Sequence, residues 1–175
     1  MSDDPDADDD LLAEITHPER LIDPTSGTRK GDLARAMIRL TPHIWPFARQ
    51  RIVSLIRCPR GIDAGCFFQR HPTSDTIPAG LGKIPVASGS DSSNELDIAR
   101  PYLYLKVPAG LVSLVQIGTI ELHGWASTAE HPKRADWVIF DLDPAPDVPF
   151  SRVVETARII ASLLETLGVR SFVKT

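Results

Sequence analysis

The chain has 175 residues, 42% of them hydrophobic and 24% charged, which is enough for one domain with its own core. At this composition a soluble globular protein is expected, and no apolar run is long enough to span a bilayer. The N-terminus lacks the basic start and apolar stretch of a secretory signal, so a cytoplasmic protein is expected.

The net charge of −4 conceals two regions of opposite sign. Residues 1–14 hold seven acids and no base, leaving 16 acids against 19 bases in the remainder. Residues 20–70 hold ten bases and three acids, a surplus of +7. Scattered arginines are ordinarily solvated surface, but a sustained excess of Arg over Lys also suits planar recognition of phosphate.

Taken in chain order, residues 1–14 are acidic and poor in apolar residues and are expected to be a disordered tail, with order beginning near Ile15. "DPTSGT" (23–28) is a turn by composition. Thr28 is positioned as the N-cap of a helix whose apolar residues Leu33, Met37, Ile38 and Leu40 fall at helical spacing. Pro42 and Pro46 are expected to end or kink it. "RIVSLIRC" (51–58) and "CFFQR" (66–70) read as strands of a hairpin around the turn "PRGID". Cys58 and Cys66 fit no CxxC spacing or paired framework, so reduced thiols are expected. A zinc set completed by His71 would have only three ligands at irregular spacing.

Residues 71–99 read as an irregular loop, with "SGSDSS" (88–93) a flexible connector. "YLYLKV" (102–107) is a strand, and "PAGLVSLVQIG" (108–118) is a short helix opened by Pro108 and closed by Gly118. "TIELHGW" (119–125) is a strand, and 127–135 a polar loop. "DWVIFDLDP" is a strand, followed by a helix with the apolar stripe Val153, Ala157, Ile160, Leu164 and Leu167, stopped by Gly168. With "VRSFVKT" as a further strand, residues 136–175 are expected to form a right-handed βαβ unit.

Asp141 and Asp143 close the strand at 136–143. Side chains at i and i+2 of a strand share a face, so the two carboxylates repel unless one is protonated or a cation joins them. Mg²⁺ prefers one or two carboxylates together with waters and substrate phosphates. Such a pair therefore suits phosphoryl transfer. An exposed Asp-x-Asp-Pro turn is the bland alternative, and nucleotide-sugar transferases use the same pair as nucleotide polymerases.

Four ordered segments, "THPERLIDPTSGTRKGDLA", "RCPRGIDAGCFFQRHP", "ELHGW" and "VIFDLDPAP…SFVKT", resemble the polymerase domain of bacterial DNA ligase D, of the archaeo-eukaryotic primase superfamily. The resemblance covers roughly residues 15–175, with the DNA-binding part at about 15–125. It implies an α/β fold with a primase-like mixed sheet and flanking helices, incomplete at the C-terminus. It implies a nucleotidyltransferase acting at double-strand break ends in non-homologous end joining, in the cytoplasm at the nucleoid. Implied partners are DNA ends with a 5′-phosphate, NTP or dNTP, Ku and a ligase domain.

By the resemblance, Asp141 and Asp143 are two of three metal carboxylates for Mg²⁺ or Mn²⁺, two ions in the family. Arg20, where the family usually has Lys, and Lys30 match positions that hold the 5′-phosphate of a downstream strand. Phe67 and Phe68 match an aromatic pair that stacks on the template, with core packing as their alternative. His123 matches a position near the incoming triphosphate. Arg57 is a weaker phosphate candidate, and Arg70 stands where the family often has Lys. The family's Ser-Gly-Gly-Lys-Gly loop, which grips the triphosphate, and its third carboxylate follow the segment matching "FVKT" and are not among these residues. Feeble activity of this chain alone, or a DNA-end binding module without catalysis, is therefore the matching expectation.

Overall fold

The structure is a computed structural model that describes residues 10–73, 77–86 and 100–174. The connector expected at 88–93 and the first nine residues of the acidic tail lie outside them. The chain divides into two compact units, Met1–Trp137 and Val138–Thr175. No helix among the described residues is long and apolar enough to cross a membrane.

In the first unit, packing begins earlier than Ile15. Residues 10–13 form a helical turn, and Leu11 and Leu12 pack against a core cluster of Ile15, Ala34, Ile38, Val112 and Val115. The acidic composition hid these two leucines. A small antiparallel hairpin follows, β1 (Leu21–Asp23) and β2 (Thr28–Arg29), around the turn read from "DPTSGT". Its ladder takes Thr28 and Arg29, so helix α1 (Lys30–Ala48) is capped one residue later than expected. The Arg29 N–H donates to the Asp32 carboxylate at 2.9 Å, the reaching-back half of a capping box.

Helix α1 runs through Pro42 and Pro46 to Ala48, so neither proline ends it. An interior proline costs about 3 kcal/mol. Burial of Ile38, with the smaller Ala34 and Ala48, on the same helix opposes that cost, because burying a side chain of isoleucine size returns roughly 1.5–3 kcal/mol. The Thr41 hydroxyl adds a bond to the Met37 carbonyl at 2.7 Å.

Among the described residues the main sheet has five strands: β3 (Arg51–Arg57), β4 (Phe67–Gln69), β5 (Leu81–Ile84), β6 (Tyr102–Leu105) and β7 (Thr119–Thr128). Every ladder is antiparallel. β3 is the hub. One stretch pairs with β7, its C-terminal half also pairs with β4, and its N-terminal half pairs with β6, which carries β5. β5 is a correction, since it lies inside the segment read as a loop. Only four residues long, it pairs with β6 from Leu81↔Leu105 to Ile84↔Tyr102. Gly82 in it leaves room for the Tyr104 ring, which a Cβ there would meet at 2.2 Å.

The odd-numbered side chains Val53, Leu55, Leu81, Leu103 and Leu105 face the core with Leu111 and Leu114 of helix α2 (Ala109–Gln116). α1 packs on α2, so both helices cover this side of the sheet. Gly118, at φ +77°, ends α2 and lies so close to Pro59 that a Cβ would stand 2.7 Å from the Pro59 Cα.

Cys58 and Cys66 form a disulfide, which corrects the expectation of reduced thiols and removes both from any zinc set. The hairpin register explains it. Arg57 pairs with Phe67, so the next residue on each side falls opposite the other, with Cα atoms 4.4 Å apart.

In the second unit, helix α3 (Phe150–Thr166) forms as expected. Val153, Ala157, Ile160 and Leu164 are half-buried, and Gly168 has φ +68° just past the end. Its flanks depart from the βαβ expectation, because residues 138–149 and 169–174 join no ladder among the described residues. β-branched composition favours extended backbone, but a strand exists only where its N–H and C=O groups meet a neighbour's.

Candidate nucleic-acid interface

Arg20, Lys30 and Arg57 come from three different places: the residue before β1, the first residue of α1 and the last of β3. They meet around one cavity of about 270 Å³, lined also by Ile22, Pro59, Gln116, Ile117 and Gly118. Each cation is tethered by a neutral oxygen. Arg20 Nη1 donates to the Pro59 carbonyl at 2.9 Å, and Arg57 Nε to the Ile117 carbonyl at 2.9 Å. Arg57 Nη1 also donates to Gln69 Oε1 at 2.8 Å. Lys30 Nζ donates to the Thr16 carbonyl at 2.9 Å and to Gln116 Oε1 at 2.6 Å.

None of the three forms an ion pair with a carboxylate among the described residues, and no carboxylate lines the cavity. Lys30 is only 4% exposed. Burial lowers its pKa from the ordinary lysine value, the Arg20 charge lowers it further, and Glu19 opposes them. Burial alone lowers that of Arg57. Lys30, buried, and Arg57, half-buried, are charges held partly out of water on neutral partners, which is costly, and an anion in the cavity relieves that cost. Arg57, the weaker candidate in the sequence, thus joins the two stronger ones. Gln116, Pro59 and Thr16 went unseen. Gln116 is 86 positions from Lys30, and no local pattern links them.

Phe67 and Phe68 are both exposed, 45% and 53%, so the core-packing alternative does not hold for either. As strand neighbours they take opposite faces. Phe67 lies across from Arg57, whose guanidinium is 5.5 Å from its ring centroid. Phe68 lies on the open face, where Ile56 pairs with both Phe68 and Glu121, and Ser54 pairs with His123. The Phe68 and His123 rings meet edge to face at 5.9 Å, and the Arg70 guanidinium sits 5.6 Å from the Phe68 ring. His123 Nε2 is 3.1 Å from Glu121 Oε2. The same face carries Tyr102 between His71 and Trp125, with ring centroids 4.5 and 4.6 Å away.

Asp141 and Asp143 belong to the second unit. Both are exposed, with Leu142 half-buried between them, although no strand ladder fixes their side chains. Neither carboxylate has a hydrogen-bond or ion-pair partner among the described residues. Two free carboxylates one residue apart are a donor set that fits a hard divalent ion completed by waters and phosphates. No group of three or more His, Cys, Asp or Glu side chains suited to a metal occurs among the described residues.

Residues 29–175 match the family model of the LigD primase-polymerase domain. The chain belongs to this family. The multifunctional non-homologous end joining protein LigD of Pseudomonas aeruginosa is 36% identical over 161 residues, 92% of this chain and 18% of that protein. The bifunctional LigD of Bacillus subtilis is 26% identical over 161 residues, 92% of this chain and 24% of that protein. The chain thus spans about a fifth of the length of these curated relatives. Its fold matches the polymerase domain of Mycobacterium tuberculosis Ligase D, solved in complex with DNA, with TM-score 0.59 and 21% identity over 88% of this chain and 54% of that one. The fold is the α/β LigD polymerase-domain fold, with a curled antiparallel sheet and flanking helices.

Proposed function

We propose that this LigD polymerase-domain chain engages broken DNA ends for nucleotide addition in non-homologous end joining. In this reading the cavity of Arg20, Lys30 and Arg57 receives the 5′-phosphate of a downstream strand. The supporting observation is the meeting of three cations, each on neutral oxygens only, around one cavity. A terminal phosphate carries more charge than a bridging one and projects free of the chain, so a cavity selects it where a flat basic surface does not.

The exposed aromatics extend the reading. Phe68, with His123 and Arg70 beside it, offers a stacking ring, an imidazole and a guanidinium on the open sheet face for template bases and an incoming nucleotide. Asp141 and Asp143 would hold a divalent ion, Mg²⁺ or Mn²⁺, which when bound neutralises charge on the nucleotide phosphates. Ku and a ligase domain are further partners in this reading.

The test is a binding titration of the chain against gapped duplexes that differ only in the 5′ group, repeated over a range of salt. Preference for the 5′-phosphate over the 5′-hydroxyl is the expected result. Equal affinity for both, with the same salt slope, would mean that the cavity does not read DNA ends.

A further inference from the structure

Gln116 is the last residue of α2, and its amide is held from two sides. Its Nε2 donates to Thr16 Oγ1 at 2.7 Å, and its Oε1 accepts from the Thr16 N–H at 3.0 Å. The same Oε1 accepts from Lys30 Nζ at 2.6 Å. An ammonium can only donate, so the amide must turn its oxygen to Lys30, and Thr16 holds that orientation. The helix end adds partial negative charge from the last carbonyls of α2. Lys30 has three N–H donors. Thr16 and Gln116 take two, leaving one for the cavity that Lys30 lines.

We infer that Gln116 is a positioning residue for 5′-phosphate recognition: clamped by Thr16, it fixes the Lys30 ammonium so that its remaining donor meets the phosphate. This rests on the reading of the cavity as the 5′-phosphate site. Glutamine suits the task because it is neutral. A glutamate there would fix Lys30 equally well but neutralise the charge the phosphate needs, and a methionine would fill the space without accepting a bond.

The other charged groups around Lys30 are Arg20 and Glu19 ahead of β1, and Arg57 of β3 across the cavity. Burial and Arg20 lower the Lys30 pKa, so 5′-phosphate preference fades on the alkaline side earlier than an ordinary lysine would allow. A carboxylate at position 116 raises that pKa, so the fading moves to higher pH.

The experiment measures affinity of the 175-residue chain for gapped DNA with and without a 5′-phosphate, across neutral and alkaline pH, for wild type, Gln116→Met, Gln116→Glu and Lys30→Ala. Gln116→Met is expected to cut the preference for 5′-phosphate over 5′-hydroxyl roughly fivefold, the effect of one ordinary hydrogen bond. Gln116→Glu is expected to cut it as well and to shift its alkaline midpoint upward, because the new carboxylate stands against the Lys30 ammonium. Wild-type preference in Gln116→Met, or an unmoved midpoint in Gln116→Glu, overturns the inference if Lys30→Ala has lost the preference. If Lys30→Ala keeps it, the cavity reading itself has failed and takes this inference with it.

Discussion

The backbone N–H of Lys30 donates to the carbonyl of Arg20 at 2.9 Å, which joins the two ends of the β1–β2 hairpin. Two cations that repel each other are thereby fixed side by side, and the hairpin meets the cost of holding them. Arg20→Ala and Lys30→Ala are each expected to lower the affinity for 5′-phosphorylated gapped DNA by about tenfold or more, since a bond to a charged group contributes roughly 1.5–3 kcal/mol. Each should also reduce the salt slope by about one. Fluorescence anisotropy at several salt concentrations checks both, and the double variant should fall short of the sum because the residues share a ligand.

The opposite faces of Phe67 and Phe68 separate their roles. Phe68→Ala is expected to weaken binding of a single-stranded template overhang by about 1–3 kcal/mol, the usual worth of base stacking. Phe67→Ala frees the Arg57 guanidinium from its ring and should act on 5′-phosphate preference instead. An overhang series and a 5′-phosphate series with both variants would distinguish them, and a reversed pattern would count against the assignment of faces.

The disulfide at the neck of the β3–β4 hairpin bonds residues eight apart. A bridge closing so short a loop is expected to contribute about 2–3 kcal/mol. Urea denaturation with and without a thiol reductant should show that loss in wild type. Cys66→Ser should start at the lower stability and be insensitive to reductant.

Arg51 grips Asp136 with two bonds of 2.6 and 2.8 Å and lies over the Trp137 ring at 4.6 Å. The Arg51 bonds hold the Asp136 carboxyl below the usual aspartate range. A carboxylate depressed in the folded state binds its proton more readily when unfolded. Its stabilising effect is therefore present above the unfolded pKa, about 3.9, and is lost as pH falls through the folded value. The stability gap between wild type and Asp136→Asn should be widest above about pH 4 and close below it. Denaturation midpoints across that range test this.

Asp141→Asn and Asp143→Asn are each expected to weaken Mn²⁺ binding to the chain, read by the electron paramagnetic resonance of the free ion. Removing one of two carboxylates from a hard-ion site should cost about tenfold or more. Unchanged Mn²⁺ affinity in both variants would remove the pair from the metal reading.

Much of the fold was legible because its signals are local. β-branched runs marked β3 and β7, the stripe from Val153 to Leu164 marked α3, and Gly118 and Gly168 marked helix ends. β5 was hidden because four residues among Pro and Gly carry too little pattern, and Tyr104 completes the strand from elsewhere. The disulfide could have been read: once 51–58 and 66–70 are paired as a hairpin, Cys58 and Cys66 face each other. The cavity was half legible. Its cations stand in the basic stretch, but the neutral oxygens that hold them come from Thr16, Pro59, Gln116 and Ile117, brought close only by tertiary folding. The extended reading of 136–143 followed composition, which favours a strand without supplying its partner.

Because β3 is the hub, the order in which the chain emerges during synthesis governs when the cavity first exists. The hairpin of β3 with β4 is complete early, whereas Arg51 must wait for Thr128, and β6 must also arrive before the N-terminal half of β3 is paired. Contacts so distant along the chain form slowly, and an unpaired sheet edge invites association in the meantime. Arg20, Lys30 and Arg57 are all made before residues 116–118 can close around them. Until those residues are made, Lys30 and Arg57 stand without the neutral oxygens that Gln116 and Ile117 bring to them.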